Sequence, residues 1–421
     1  MQKKLFLICC ETSGNNILRQ TLQQLQANGI DLSQYELEGI VFEDIAKEFN
    51  IRQLFSPKQL SVLGIGDIIM ALPRILDRIS DTAKRIVEFQ PDLVLSVDAY
   101  DFCVRVAKKV QTLQTKQNET YKHIEFWHIV APSVWAYWSG RAKTLAKYYN
   151  HLFYFLPFEG AFFKPLERRF EGHLFQSTFI GFPAVFQEID NKITTQDNLI
   201  GITIGSRTSE IKRHQKVIID IILRLKVYDE GLQFVIFATK DTERKIKHFF
   251  LNRRTLRIKN LSIISDELEK KQTMQKCKLI IAKSGTNNIE IGALGVPMIT
   301  YYKTSFLTYL FAKMFAKVKF VNLFNITLNK LVVPEFIQKQ ATADNIANHA
   351  IKLLEKPYLI DFQKTEVAKA IEKMKSPDGK KPIQIVCEKL CEFIKPDGNT
   401  NNNNNKKKNS NFNVKKLTAT N

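Results

Sequence analysis

Short apolar runs, each followed by a polar turn and a helix-length stretch, recur along this chain and limit the folds open to it. In the first half the runs are Leu5–Cys10, Leu93–Val97, Ile124–Val130 and His151–Leu156, separated by helical stretches near 15–27, 67–89, 101–112, 139–149 and 159–166. In the second half they are Leu199–Ile204, Gln233–Phe237, Leu261–Ile264, Leu279–Ala282 and Met298–Tyr301. This alternation specifies an α/β fold with mostly parallel sheet flanked by helices. The pattern breaks around Gly181-Phe182-Pro183, and the polar segment Asp190–Asn198 reads as a linker after which the pattern restarts. A chain of 421 residues also exceeds the roughly 250–300 residues that one core organises. Residues 1–190 and 191–360 are therefore expected to form two Rossmann-like domains facing one another across a cleft. Helices in 361–396 close the fold, and the Asn/Lys-rich segment 397–421 is expected to be disordered. In such sheets ligands bind beyond the carboxyl ends of the strands.

Lys and Arg number 62 against 42 Asp and Glu, a formal charge of +20. Five Lys and one Asp from Asp397 onward account for +4, so about +16 stays on the folded body. That excess favours an anionic partner: nucleic acid, a phospholipid surface or a phosphorylated substrate. No recognised nucleic-acid motif accompanies it, so no nucleic-acid partner is expected. The six cysteines form no Cys-x-x-Cys pair and the histidines show no ligand spacing relative to them, which points to a reduced cytoplasmic compartment without a metal site. The Leu5–Cys10 run is short and leads into Glu11 and Ser13-Gly14, as a first strand does and a signal peptide does not. No apolar run approaches the ~20 residues that span a bilayer, so any membrane association is expected to be peripheral.

Four turns at strand ends carry the candidate chemistry. Glu11-Thr12-Ser13-Gly14-Asn15 can present backbone N–H groups to an anion or a sugar hydroxyl, with helix capping by Ser13 or Asn15 as the equal alternative. Gly205-Ser206-Arg207 follows a strand and opens a helix. Free helix N–H groups and the Arg207 cation there suit a diphosphate better than a plain cap. Ser284-Gly285-Thr286 repeats the arrangement, and Glu290, one turn on from Thr286, shares its helical face. A carboxylate there suits the two hydroxyls of a ribose; a structural ion pair is the competing role. Asp98 closes Leu93–Val97 and points into the expected crevice, the best-placed candidate for a general base, with the helix cap assigned to Asp101.

All three tryptophans fall between Trp127 and Trp138, in Trp127-His-Ile-Val-Ala-Pro-Ser-Val-Trp135-Ala-Tyr-Trp138, followed by Arg141. Indole rings favour places where an apolar body meets a polar edge, so this window is either a binding wall or a plug in the core. The segment Ser61–Leu76 is unusually apolar, with Arg74, Arg78, Lys84 and Arg85 beside it. On composition alone a core helix is the better reading, ahead of a surface for acyl chains or an anionic bilayer.

Taken together the segments resemble the lipid-A-disaccharide synthase family. The matching stretches are ETSG (11–14), SVLGIGD (61–67), SVDAYDF (96–102), APSVWAYWSGRAKTLA (131–146), LPFEGAFF (156–163), IGFP (180–183), GSR (205–207) and SGTNNIE (284–290), in the family's order from Leu5 to about Glu355. The resemblance implies a GT-B fold, with an N-terminal acceptor and membrane-docking domain and a C-terminal UDP-sugar-binding domain. It implies inverting transfer of 2,3-diacylglucosamine from UDP-2,3-diacylglucosamine to lipid X (2,3-diacylglucosamine 1-phosphate), with no cofactor or metal. Asp98 matches the family's candidate catalytic carboxylate; Arg207, Ser284, Gly285, Thr286, Glu290 and Asn325 match positions around UDP. Ser13, Gly14, Asn15, Trp135 and Arg141 are expected around the substrates, Trp135 on the acceptor wall and Arg141 as a phosphate contact. The segment containing Val62, Leu63, Ile65, Ile68, Ile69, Leu72, Ile75 and Leu76 matches the acyl-chain and docking region, which reverses the core-helix reading. The expected place of action is the cytoplasmic face of a Gram-negative inner membrane, an anionic surface; a homodimer is left open.

Cys10, Asn15, Phe182, Ile204 and Lys330-Leu331 depart from the family pattern, which has Gly, Asp, His, Pro and Arg-Glu there. The lost carboxylate at 15 and imidazole at 182 bear on substrate positioning. Two rival readings follow: a related GT-B enzyme acting on another UDP-sugar, and a lapsed homologue that keeps UDP or membrane binding alone.

Overall fold

The computed structural model describes residues 3–60, 65–116, 122–170, 173–250, 260–305, 309 and 318–394. In chain order its first half contains β1 (Lys4–Cys9), α1 (Thr12–Ala27), β2 (Glu36–Ile40), α2 (Glu43–Glu48), β3 (Arg52–Gln53), α3 (Ile65–Phe89), β4 (Leu93–Val97) and α4 (Tyr100–Lys116). There follow β5 (Glu125–Ile129), α5 (Gly140–Tyr148), β6 (His151–Tyr154), α6 (Gly160–Phe163), the hairpin β7 (Arg169–Phe170) and β8 (His173–Leu174), and β9 (Gln176–Phe179). Strands pair in the order β3-β2-β1-β4-β5-β6-β9, every ladder of this sheet parallel.

The second half contains β10 (Gln196–Thr203), α7 (Thr208–Tyr228), β11 (Gln233–Phe237), α8 (Lys240–Phe250), β12 (Leu261–Ile264), α9 (Glu267–Lys276), β13 (Cys277–Lys283) and α10 (Asn287–Ala293). After these come β14 (Met298–Tyr302), α11 (Leu323–Leu328), β15 (Glu335–Ile337), α12 (Ala343–Glu355), α13 (Pro357–Met374) and α14 (Pro382–Ile394). The sheet runs β12-β11-β10-β13-β14-β15, again parallel throughout. In each sheet the order reverses beside the first strand, between β1 and β4 and between β10 and β13. Helices leaving those two strands diverge to opposite faces and open a crevice at the strand ends, the place where such folds hold ligands.

The α/β architecture of two facing parallel sheets is as the apolar runs predicted. Strands β2, β3, β9 and β15 were not expected, because they are short or carry polar side chains. Glu38 in β2 shows how a charged residue survives there: it is 2% exposed, and Arg85 of α3 grips it with Nε–Oε1 2.6 Å and Nη2–Oε2 2.8 Å. The expected linker also shortens at its far end, since β10 begins at Gln196.

Two features join the halves. Leu156 and Val185 share one apolar cluster with Val235, Ile280, Met298 and Phe324 of the second sheet, and Trp135, Phe158 and Phe182 pack against it. At Gly181 (φ +78°) a Cβ would sit 2.6 Å from the Ser376 amide, so glycine is required for the chain to pass there. Phe182, at the position of the family's His, donates its amide to the Met374 carbonyl (2.9 Å) and meets the Phe155 ring edge-on. The second feature is α14, which returns to the first half. Its Val386, Cys387, Leu390 and Ile394 are buried in the same cluster as Leu18, Leu22 and Trp127, and Phe393 lies 5.3 Å from the Trp127 ring. The closing helices are thus split: α13 belongs to the second sheet and α14 to the first. The expected tail, 397–421, lies outside the described residues.

This return makes the N-terminal half depend on residues near the end of the chain. Leu390→Ala removes a side chain that is 1% exposed and should cost about 2–5 kcal/mol. Because all three tryptophans lie in the first half, urea unfolding followed by tryptophan fluorescence should register the loss. An unchanged fluorescence midpoint would show that α14 is not part of that core.

Candidate active site

The turn after β4 brings Asp98 to the reversal point of the first sheet. Asp98 (φ 59°) and Ala99 (φ 49°) are both left-handed, a costly conformation for residues with a Cβ. The register is fixed by the Asp98 amide, which donates to the Ile129 carbonyl (3.0 Å). So turned, the carboxylate reaches across the crevice: Ser13 Oγ donates to Oδ2 (2.8 Å), and the Ala99 amide donates to Oδ1 (2.9 Å). Each oxygen keeps acceptor capacity for a substrate hydroxyl. Further left-handed residues cluster beside it. Trp138 (φ 51°) precedes α5 and Val130 (φ 83°) follows β5; for a β-branched residue such as Val130 this is a real outlier. Strain of this kind concentrates at functional sites.

Beneath the turn, Ser96 Oγ lies 2.7 Å from His128 Nδ1, 3.2 Å from the Tyr149 hydroxyl and 3.1 Å from the Trp127 carbonyl that it donates to. Burial lowers His128 to about 3, so it is a neutral strut rather than an acid. Burial also raises Cys9 to about 12 and raises Cys10 and Cys103, which keeps these neighbouring thiols protonated and poor nucleophiles.

The remaining residues of the first turn divide. Ser13 is exposed on the cleft, whereas Gly14 and Asn15 are buried. A Cβ on Gly14 would sit 3.1 Å from Cys9 Sγ and 3.2 Å from Val97 Cγ1, so glycine lets α1 pack against the ends of β1 and β4. Asn15 Nδ2 donates to Asp44 Oδ2 (3.3 Å). Gly14 thus serves packing, while the buried Asn15 Oδ1 has no hydrogen-bond partner among the described residues.

The tryptophans take three separate roles. Trp127 is core, against His151, Phe153 and Phe393. Trp135 is half-buried at the junction of the halves, edge-on to Phe158 (5.3 Å). Trp138 is 45% exposed, and the Arg141 guanidinium lies 4.8 Å from its ring and 5.3 Å from that of Tyr100. Arg141 is also held by Asp101 (2.8 and 2.9 Å), so the expected phosphate contact is already paired, and Asp101 spends its carboxylate on that pair instead of capping α4. The missed surface ring is Trp138, whose three-residue spacing from Arg141 was the available signal.

On the facing sheet, Arg207 is exposed at the start of α7 and Ser284, Gly285 and Thr286 follow β13, so two turns flank the second reversal point. Their N–H groups are not all open. Glu210 Oε2 accepts from the Ser206 (3.2 Å) and Arg207 (3.4 Å) amides, and the Ser284 amide donates to the Tyr301 carbonyl (2.9 Å). The Ser206 and Arg207 amides expected to hold phosphate are therefore met by the protein's own carboxylate. Burial pushes Glu210 up, but Lys283 and Arg207 more than offset it and hold the carboxyl below its usual range. Glu290 is exposed on α10. Asn325 is a correction: it is fully buried and spends both ends of its amide internally. Its Oδ1 accepts from the Val332 and Val333 amides (2.8 Å each), while Nδ2 donates to the Val333 carbonyl (2.7 Å) and Glu335 Oε1 (2.8 Å). It positions the 332–335 loop.

The Arg207 turn faces the Asp98 side. Cleft desolvation and the Asp98 charge raise the Glu11 carboxyl, and Arg207 from the opposite half pulls it back. Val62 and Leu63 fall outside the described residues, and Ile65, Ile68 and Ile69 lie on the first turns of α3. Leu72 and Leu76 are 44% and 49% exposed, and Ile75 packs partly against the core. Among the described residues no helix is long and apolar enough to cross a membrane, and no cluster of metal-ligating side chains occurs.

Glu159 was also missed. It is 4% exposed, accepts from the Leu156 amide (3.0 Å), and faces the Phe155 amide and the Trp135 indole. Burial raises it to about 8 despite these donors. The unfolded carboxyl titrates near 4.5, so the stability this group contributes is complete below that pH and is lost as pH rises to about 8. Glu159→Gln should remove the slope: its melting temperature should gain on wild type between those pH values and hold level above them. A pH-independent difference would mean that Glu159 is ionised in the fold.

The sequence profile of lipid-A-disaccharide synthetase matches residues 5–386. The chain is 34% identical to the lipid-A-disaccharide synthase of Rickettsia bellii (strain OSU 85-389) over 88% of its length and 94% of that protein's. It is 32% identical to the one from Rickettsia typhi over 92% and 98%. Among solved structures, MurG from Acinetobacter baumannii aligns with a TM-score of 0.54 at 12% identity, over 93% of this chain and 99% of the other. UDP-GlcNAc 2-epimerase from Neisseria meningitidis bound to UDP-GlcNAc aligns with a TM-score of 0.52 at 14% identity, over 93% and 100%. At such identities these structures speak to the fold alone.

Proposed function

The chain belongs to the lipid-A-disaccharide synthase family, and from that premise we infer a role for each part of the cleft. It is a glycosyltransferase of GT-B architecture with a UDP-sugar donor and a lipid acceptor. The specific reading is transfer of 2,3-diacylglucosamine from UDP-2,3-diacylglucosamine to lipid X. The acceptor's primary hydroxyl attacks the anomeric carbon, the bond from that carbon to the UDP oxygen breaks, and the hydroxyl proton passes to Asp98. The products are a β-linked disaccharide 1-phosphate and UDP. The observation that carries this reading is the opposition of Asp98, held by Ser13 at one reversal point, to Arg207 at the other. A base on one wall and a cation on the other are what attack by an alcohol and departure of a diphosphate require. Arg207 and the Ser284–Thr286 turn take the diphosphate, and Glu290 takes the ribose hydroxyls; this division of charge asks for no metal. Trp138 and Tyr137 line the acceptor side, and Asn325 acts through the 332–335 loop.

Both substrates carry acyl chains, so the enzyme must work where lipids reside. The exposed Leu72 and Leu76 beside Arg74 on α3 suit the surface of an anionic bilayer, in keeping with peripheral work on the inner membrane's cytoplasmic face.

With both lipid substrates, Asp98→Ala should lower disaccharide formation by about 10²–10⁴-fold; near-wild-type turnover would remove Asp98 as the base. A wild-type protein that binds UDP yet yields no disaccharide would support the lapsed homologue, and transfer from unacylated UDP-glucosamine would support the related enzyme. Leu72→Glu with Leu76→Glu should reduce sedimentation with phosphatidylglycerol vesicles while leaving UDP affinity intact, and unchanged sedimentation would move the docking surface elsewhere.

A further inference from the structure

Lys283 is the last residue of β13, at the reversal point of the second sheet. Its amide donates to Thr203 Oγ1 (2.9 Å) at the end of β10, which also accepts from Asn287 Nδ2 (3.0 Å), so the two strand ends are tied together. The side chain is 16% exposed, and its ammonium lies 2.8 Å from Glu210 Oε1, whose own side chain is 9% exposed. The ring of Tyr302 supports the ammonium from 5.1 Å. On its other side Nζ lies 3.9 Å from where a Cβ on Gly285 would be. The ammonium therefore stands between the two turns: Glu210 ties it to the Ser206 and Arg207 amides, and it borders the Ser284–Thr286 turn directly.

We propose that Lys283 is a donor-site residue whose ammonium, held between the two turns by Glu210, meets the diphosphate of the nucleotide-sugar beside Arg207. This rests on the UDP-sugar reading above. Three features favour it over a purely structural ion pair. A mostly buried Lys–Glu pair adds little net stability compared with apolar side chains of the same size. It stands at the crevice where ligands of such sheets bind. Glu210 already satisfies the Ser206 and Arg207 amides, so at that turn the negative charge that builds on departing UDP is left to side chains. An ammonium has three donors, and the pair with Glu210 directs one of them, leaving others for phosphate oxygens.

The test compares UDP with uridine, which lacks the phosphates, as ligands of the full-length protein in calorimetric or NMR titrations. Lys283→Met should weaken UDP by about 10–100-fold, the scale of a charge-assisted hydrogen bond, and leave uridine within about threefold. Lys283→Arg should retain most of the UDP affinity. The double variant Lys283→Met with Glu210→Gln removes both charges, and its UDP affinity should stay as weak as that of Lys283→Met. Recovery of UDP binding in the double variant would overturn the proposal, because Lys283 would then serve to neutralise Glu210. Equal losses of UDP and uridine would also overturn it, as damage to the site as a whole. Failure of the wild-type protein to bind UDP would instead overturn the donor reading itself.

Discussion

Parallel strand pairing is the constraint on which the rest of the structure depends. Every ladder of both main sheets is parallel, so each connection must cross a face of the sheet and every strand delivers its carboxyl end to the same edge. Order reverses beside the first strand in both sheets. The chain thereby gathers the turns after β1, β4, β10 and β13, far apart in sequence, at two crevices. Ser13 and Asp98 meet over 85 residues of separation because β1 and β4 are neighbours, with Cys9 opposite Val97. Ser96 and His128 likewise meet because β4 and β5 are neighbours.

A rigid base of this kind allows strain above it. Asp98, Ala99, Val130 and Trp138 hold left-handed backbones at or beyond the ends of β4 and β5, at a cost of order 1–3 kcal/mol each. The strands beneath are buried apart from Glu125 at the start of β5, and the Ser96–His128–Tyr149 contacts cross-brace them. The turns cannot relax without breaking that packing. The apolar cluster around Leu156, Val185 and Phe324 does the same between the halves, and α14 closes the first core from the far end of the chain.

How much of this was legible in the sequence follows from which forces act locally. Strands buried on both faces declare themselves as apolar runs, and Leu93–Val97 and Gln233–Phe237 are found within those bounds; the apolar edge strand Leu261–Ile264 is found as well, although it is only partly buried. Short or polar strands do not. Glu38 reads as a surface residue until Arg85, 47 positions away, is placed against it. Site residues divide the same way: Asp98 and Arg207 stand out in the sequence as charged residues at strand ends, and the structure puts them on opposite sides of the cleft. Asn325 was misplaced because its match to a motif says nothing about whether its amide faces ligand or backbone. Arg141 looked like an available cation because its partner Asp101 lies 40 residues away. Glu210, Lys283 and Glu159 were passed over because their importance lies in burial, which one sequence does not display.

The distribution of charge across the cleft suits the chemistry proposed for it. Carboxylates Glu11 and Asp98 stand on the first wall, and Arg207 and Lys283 on the second. Had base and cation shared one wall at contact distance, they would have formed an ion pair like Arg141 with Asp101, depressing the basicity of one and sequestering the donors of the other. Keeping them on separate halves leaves each available, as the proposed transfer requires: proton to the first wall, leaving diphosphate to the second. Glu210 is the apparent exception, an acid among the cations. It is buried beneath the turn rather than aimed into the cleft, and its partner Lys283 balances it, so the charge that the second wall shows a nucleotide stays positive.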